Sequence, residues 1–166
     1  MKRLFALVLA SAALLPGLAQ ADPQPILSAF HGCWRGEGQG GMTDVRCVAP
    51  MEAGQFTRDA HRVGGSPYGG ETIYHRDPRT HRLSYTYYAS DGGVMRGEAE
   101  EAGDLITFPP ADYVSSDGET ITLRSSWRRT GPDTFEARSE ALQNGAWREH
   151  LRLHYTRMIE RPVLTR

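Results

Sequence analysis

Phe30 to Cys47 reads FHGCWRGEGQGGMTDVRC, and the way this stretch turns back on itself decides the fold. In an extended strand Trp34, Gly36 and Gly38 fall on one face and Cys33, Arg35 and Glu37 on the other. Gln39-Gly40-Gly41 supplies the freely turning backbone of a hairpin. Cys33 and Cys47 are equidistant from Gly40, so a fold at that glycine sets the two sulfurs opposite each other. In an exported chain two cysteines usually pair. Closing a loop of about 15 residues contributes roughly 3 kcal/mol in the chain-entropy model. The 13 intervening residues are far from the Cys-x-x-Cys spacing of redox and metal sites.

Upstream of the hairpin lies an export signal. Lys2 and Arg3 form a basic start, Leu4 to Leu15 is an apolar run too short to span a bilayer, and Ala19-Gln20-Ala21 is a small-x-small cleavage pattern. Cleavage after Ala21 is expected, leaving residues 22–166 as one β-barrel domain in the periplasm or outside the cell. No later stretch is apolar enough for a membrane span. Of the 19 basic and 20 acidic residues, removing Lys2 and Arg3 leaves 17 against 20, a net charge of −3. Those 17 are all Arg, scattered without a stripe, which argues against a nucleic-acid partner.

Downstream, turn signals recur at short intervals. Asp77-Pro78, Ser90-Asp91-Gly92-Gly93, Ser115 to Gly118, Thr130-Gly131-Pro132-Asp133 and Asn144-Gly145 separate runs of alternating polarity. Ten strands follow, at 31–38, 42–48, 55–63, 71–76, 81–89, 94–100, 104–108, 119–129, 134–142 and 146–158. Pro109-Pro110 is expected to end the seventh, because proline lacks the donor. Ile26, Leu27 and Phe30 form a short helical turn plugging one end. Hairpin-length connections favour an all-β, closed antiparallel up-and-down barrel of the lipocalin-like kind, since closure removes the exposed edges.

Ten strands enclose more space than average side chains fill, given that eight already hold a small ligand. The expected walls of a ligand cavity are Trp34, Tyr85, Tyr87, Trp127 and Tyr155, with Ser125 and Ser139 as polar contacts. Tyr88, beside them in sequence, belongs to the same candidate set for a flat ligand. The expected partner is a small apolar or amphipathic molecule.

Gly32-Cys33-Trp34-Arg35-Gly36-Glu37-Gly38 resembles the first strand of calycin barrels, in particular the ten-stranded nitrobindin-like group. Tyr155-Thr156-Arg157 is similar to the closing strand of a related bacterial family of unknown function. The resemblance implies that Arg157 covers Trp34, a cation–π contact of ~0.5–2 kcal/mol that pins barrel closure. It also implies haem bound through a last-strand histidine, with His150 in the matching place, and activity on reactive nitrogen species. Strand parity instead places His150 with Arg148 and Arg152 on the solvent face.

Other chemistry finds little support. His75 and His81 flank one turn, but two ligands do not make a metal site. No Gly-x-Ser-x-Gly occurs, and the disulfide leaves no spare thiol. A catalytic site is therefore not expected, and no cofactor other than haem is suggested. An envelope protein with an inert interior and a binding outer face is the remaining alternative. Whether the protein is a monomer or a homodimer is not encoded in these patterns.

Overall fold

In the computed structural model, residues 25–51 and 54–159 are described; the signal peptide expected at 1–21 lies outside them. The chain forms a short helix α1 (Pro25–Ser28) and strands β1 (Gly32–Gly38), β2 (Thr43–Pro50), β3 (Phe56–Val63), β4 (Gly69–Arg76) and β5 (Leu83–Ala89). It continues with β6 (Val94–Ala102), β7 (Leu105–Val114), β8 (Thr120–Gly131), β9 (Thr134–Gln143) and β10 (Ala146–Arg157). Each strand pairs antiparallel with its sequence neighbour, and β1 pairs with β10 to close the barrel. The first hairpin has the expected register: Cys33 faces Cys47 and the two are disulfide-bonded.

Closure is built around Trp34. It stands opposite Arg157 in the β1–β10 register, and the guanidinium carbon lies 4.0 Å from the indole centroid. Arg157 is held there by Nη1 donating to the His31 carbonyl at 2.6 Å and Nε donating to Asp133 at 2.7 Å. Gly32 makes room for it. A Cβ at Gly32 would stand 2.4 Å from Arg157 Nη1, and its φ of 125° is one that L side chains rarely adopt. On the far side the indole N–H donates to the Phe30 carbonyl at 2.7 Å.

The end of the barrel nearest α1 is solid. Leu27 and Phe30 are fully buried and plug it. Phe30 meets Phe135 edge-on, Trp34 meets Phe135 edge-on, and Phe135 stacks on Tyr155 at 4.4 Å. Tyr74, Tyr85, Phe108 and Trp127 extend this aromatic cluster upward. Burying one such ring contributes about 1.5–3 kcal/mol, with about 0.5–1.5 kcal/mol more for a well-oriented aromatic pair. Gly36 is the counterpart of Tyr155: a Cβ there would lie 2.6 Å from its ring.

One expectation is corrected. β7 does not stop at the prolines but runs through Pro109-Pro110 to Val114. What the missing donors produce is a break in pairing. β7 slips against β8 between Phe108 and Ala111, and its register with β6 is interrupted between Met95 and Glu100. β10 carries a second irregularity. Its register with β9 shifts between Glu149 and Leu151, so parity does not carry across His150. His150 is exposed, as its expected outer-face position requires, and it also borders the cavity beside Leu151.

Candidate functional site

The end opposite α1 is hollow. A cavity of about 210 Å³ begins above Trp127, Phe108 and Tyr74 and opens past Tyr68, His150 and Leu151. Of the residues expected to form its walls, Tyr85, Tyr87, Ser125, Trp127, Ser139 and Tyr155 do line it. Trp34 lies outside the lining, 1% exposed beneath Phe135, and acts in closure. Tyr88 points outward and is 48% exposed, because it has the opposite parity to Tyr85 and Tyr87. His75 packs against Phe56, and His81 sits in the turn after β4. Among the described residues no group of three or more metal-ligating side chains exists.

One wall of the cavity is polar. β2 alternates Asp44, Arg46 inward with Val45, Cys47 outward. β3 does the same with Thr57, Asp59 and His61 against Arg58, Ala60 and Arg62. Asp44, Thr57 and Asp59 are each 2% exposed. A continuous hydrogen-bonded chain crosses this wall. Tyr155 donates from its hydroxyl to Asp44 Oδ2 at 2.7 Å, and Asp44 Oδ1 faces His61 Nδ1 at 3.0 Å. His61 Nε2 lies 3.1 Å from the Tyr87 hydroxyl, itself 3.1 Å from the Tyr68 hydroxyl at the cavity mouth. The carboxylate of Asp44 accepts from the Nδ1–H of His61, and the Tyr87 hydroxyl donates to that of Tyr68.

Arg46 lies beside this chain, under aromatic rings. Its guanidinium carbon is 4.6 Å from the Trp127 centroid and 5.4 Å from that of Tyr155. Its Nε is 3.4 Å from Asp59 Oδ1, but none of Nε, Nη1 and Asp59 Oδ1 has a hydrogen-bond partner. Three buried polar atoms without partners are costly, of order 1–3 kcal/mol per group.

The two carboxyls of this wall are driven apart. Burial pushes Asp59 upward from its ordinary range, and the Arg46 charge only partly offsets that. Burial also works against the charge of Asp44, but the His61 hydrogen bond, the charge of Arg46 and the Tyr155 hydroxyl outweigh it and hold the group low. Burial lifts Tyr85 to about 12 and raises Tyr87 further, so both hydroxyls stay protonated near neutrality.

The sequence reading missed Asp44, Arg46, Asp59 and His61. The signal was present in β3. A strand polar on both faces, set inside a closed barrel, must turn one polar face inward.

No protein-family model matches the chain, and no curated protein does. Among solved structures it is similar to the crystal structure of Rv2717c from M. tuberculosis. The TM-score is 0.58 at 15% identity, over 83% of this chain and 98% of that one. At that identity the likeness shows a shared fold.

Proposed function

We propose that this protein is an exported carrier that holds a small amphipathic molecule inside its barrel. The observation that supports this most is the cavity of about 210 Å³, with Phe108, Leu123 and Leu151 on one side and the Arg46–Asp59–His61 wall on the other. Space of that size, where about 10–15 Å³ suffices for one water, is left unfilled although protein interiors close-pack when they can. One apolar and one polar wall suit a ligand with one apolar and one polar part. The disulfide is compatible with an oxidising compartment.

The test is organic extraction of freshly purified protein followed by mass spectrometry. A single class of small amphiphile, recovered near stoichiometry and absent from a boiled and refolded control, is the expected result. Protein that yields nothing and does not bind the apolar fluorophore N-phenyl-1-naphthylamine has an inert interior, and the carrier reading fails.

His150 favours a second reading, a nitrobindin-like haem protein acting on reactive nitrogen species. His150 is exposed at the β10 irregularity and borders the cavity, from where its imidazole would offer one axial ligand. The enclosed space is below the ~300–1,000 Å³ of drug-sized pockets, which fits a small ligand better than a macrocycle. A Soret band on adding haemin, lost in His150→Ala, would favour haem over the carrier.

A further inference from the structure

We infer that the cavity selects uncharged ligands whose polar end is a hydroxyl, and that Tyr85, Ser125 and Ser139 are the residues that recognise it. This rests on the carrier reading and names its ligand class: small alcohols and phenols.

The ionic groups of the cavity wall are spent on one another. Asp44 engages His61 with one oxygen and the Tyr155 hydroxyl with the other. Arg46 stands in an ion pair with Asp59, and the unpaired atoms of that pair, Arg46 Nε and Nη1 and Asp59 Oδ1, are sealed from the cavity space. Arg138 donates to Glu140. His61 has an oxygen at each ring nitrogen, and His150 borders the cavity from an exposed position. Among the described residues, a charged head group therefore finds no uncommitted counter-ion on the inner walls. Taking an ion out of water without one is costly.

Three hydroxyls are left over. Ser125 and Ser139 stand opposite each other in the β8–β9 register, and both line the cavity. Tyr85 lines it from β5 and is 4% exposed. Among the described residues, none forms a hydrogen bond with these three side-chain oxygens, and none of the three is sealed off as the Arg46 and Asp59 atoms are. A hydroxyl so placed is satisfied by a partner that enters the cavity. Opposed residues on neighbouring strands have Cβ atoms ~4.5–5.5 Å apart. One ligand hydroxyl therefore bridges the two serines, accepting from one and donating to the other. Burial lifts Tyr85 to about 12, so its hydroxyl is a neutral donor. Phe108, Trp127 and Leu151 surround the trio and suit a hydrocarbon or ring body. A dry apolar cavity of about 150 Å³ takes benzene, so the 210 Å³ here leaves room for a bicyclic ring.

The experiment is calorimetric titration of the purified protein with 2-naphthol, naphthalene and 2-naphthoate, which share a ring system and differ in the polar group. Wild type is expected to bind 2-naphthol about fivefold or more tightly than naphthalene, and about tenfold or more tightly than 2-naphthoate. In Ser125→Ala/Ser139→Ala the naphthol-to-naphthalene affinity ratio falls about threefold or more, while naphthalene binds at least as tightly as before. Tyr85→Phe keeps the ring and lowers the same ratio, so the inference is still read if the double variant fails to fold. Naphthalene or 2-naphthoate binding wild type as tightly as 2-naphthol, or a ratio unchanged in the folded variants, overturns the hydroxyl inference and leaves the carrier standing. Binding of none of the three overturns both.

Discussion

The two ends of this barrel are made from the same strands and have opposite interiors. Near α1 the inward residues are Leu27, Phe30, Trp34 and Phe135, each at most 1% exposed and ring against ring. Near the opposite rim the same strands turn in Ser125 and Ser139, Ala137, and the polar row of β3. Side-chain volume explains the difference. β9 shrinks from Phe135 to Ala137 to Ser139 along one face, and its partner β8 goes from Trp127 to Ser125. One end is filled to stabilise the molecule, and the other is left open at some cost in unpaired polar atoms.

That contrast is broken most severely at the filled end. Trp34→Ala removes the indole, its hydrogen bond to Phe30 and the seat of Arg157, and is expected to cost about 3–5 kcal/mol. Urea unfolding measures it, and a loss below about 1 kcal/mol would mean that closure does not depend on this residue. Reducing the disulfide, or replacing both Cys33 and Cys47 by Ser, is expected to cost about 3 kcal/mol, since the closed loop is near 15 residues. The same unfolding curves read it.

A change at the hollow end is expected to sharpen the contrast by pH instead. Folding raises the pKa of Asp59. Its contribution to stability is therefore fully present below the ordinary value of 3.8 and lost as pH rises through the raised one. Asp44 runs the other way: held low, it contributes above 3.8 and loses that contribution as pH falls. In Asp59→Asn the decline with rising pH disappears. The stability of the variant relative to wild type should thus grow between about pH 3 and pH 7. Urea midpoints across that range measure it, and parallel curves would place Asp59 in its ordinary range.

The filled end was legible in the sequence and the hollow end only partly. Gly-x-Trp-x-Gly-x-Gly, the cysteine spacing and ten alternating runs specify a closed barrel, because closure and period-2 alternation are local, repetitive signals. The cavity walls on β5, β8 and β9 follow from the same parity. Parity fails where pairing slips, and a slip is set by neighbouring strands: at Glu149/Leu151 it leaves His150 outside the β9 register, and at Phe108/Ala111 it lets β7 pass two prolines. Arg46 and Asp59 were invisible for a different reason. Charged residues are assigned to solvent by default, and what holds these two inside is the pairing of β2 with β3 and the rings of Trp127 and Tyr155, far away in sequence.

The most direct test of a barrel filled at one end and hollow at the other is to fill the second end. Ser139→Phe places a ring in the cavity, where Ser125 faces it across the strands. Titrating octanol into wild type and variant, with melting temperatures measured alongside, is expected to give saturable binding to wild type. The variant should show none while melting no lower than wild type. Equal binding to a folded Ser139→Phe protein, or no binding to wild type, would contradict the hollow interior as a ligand site.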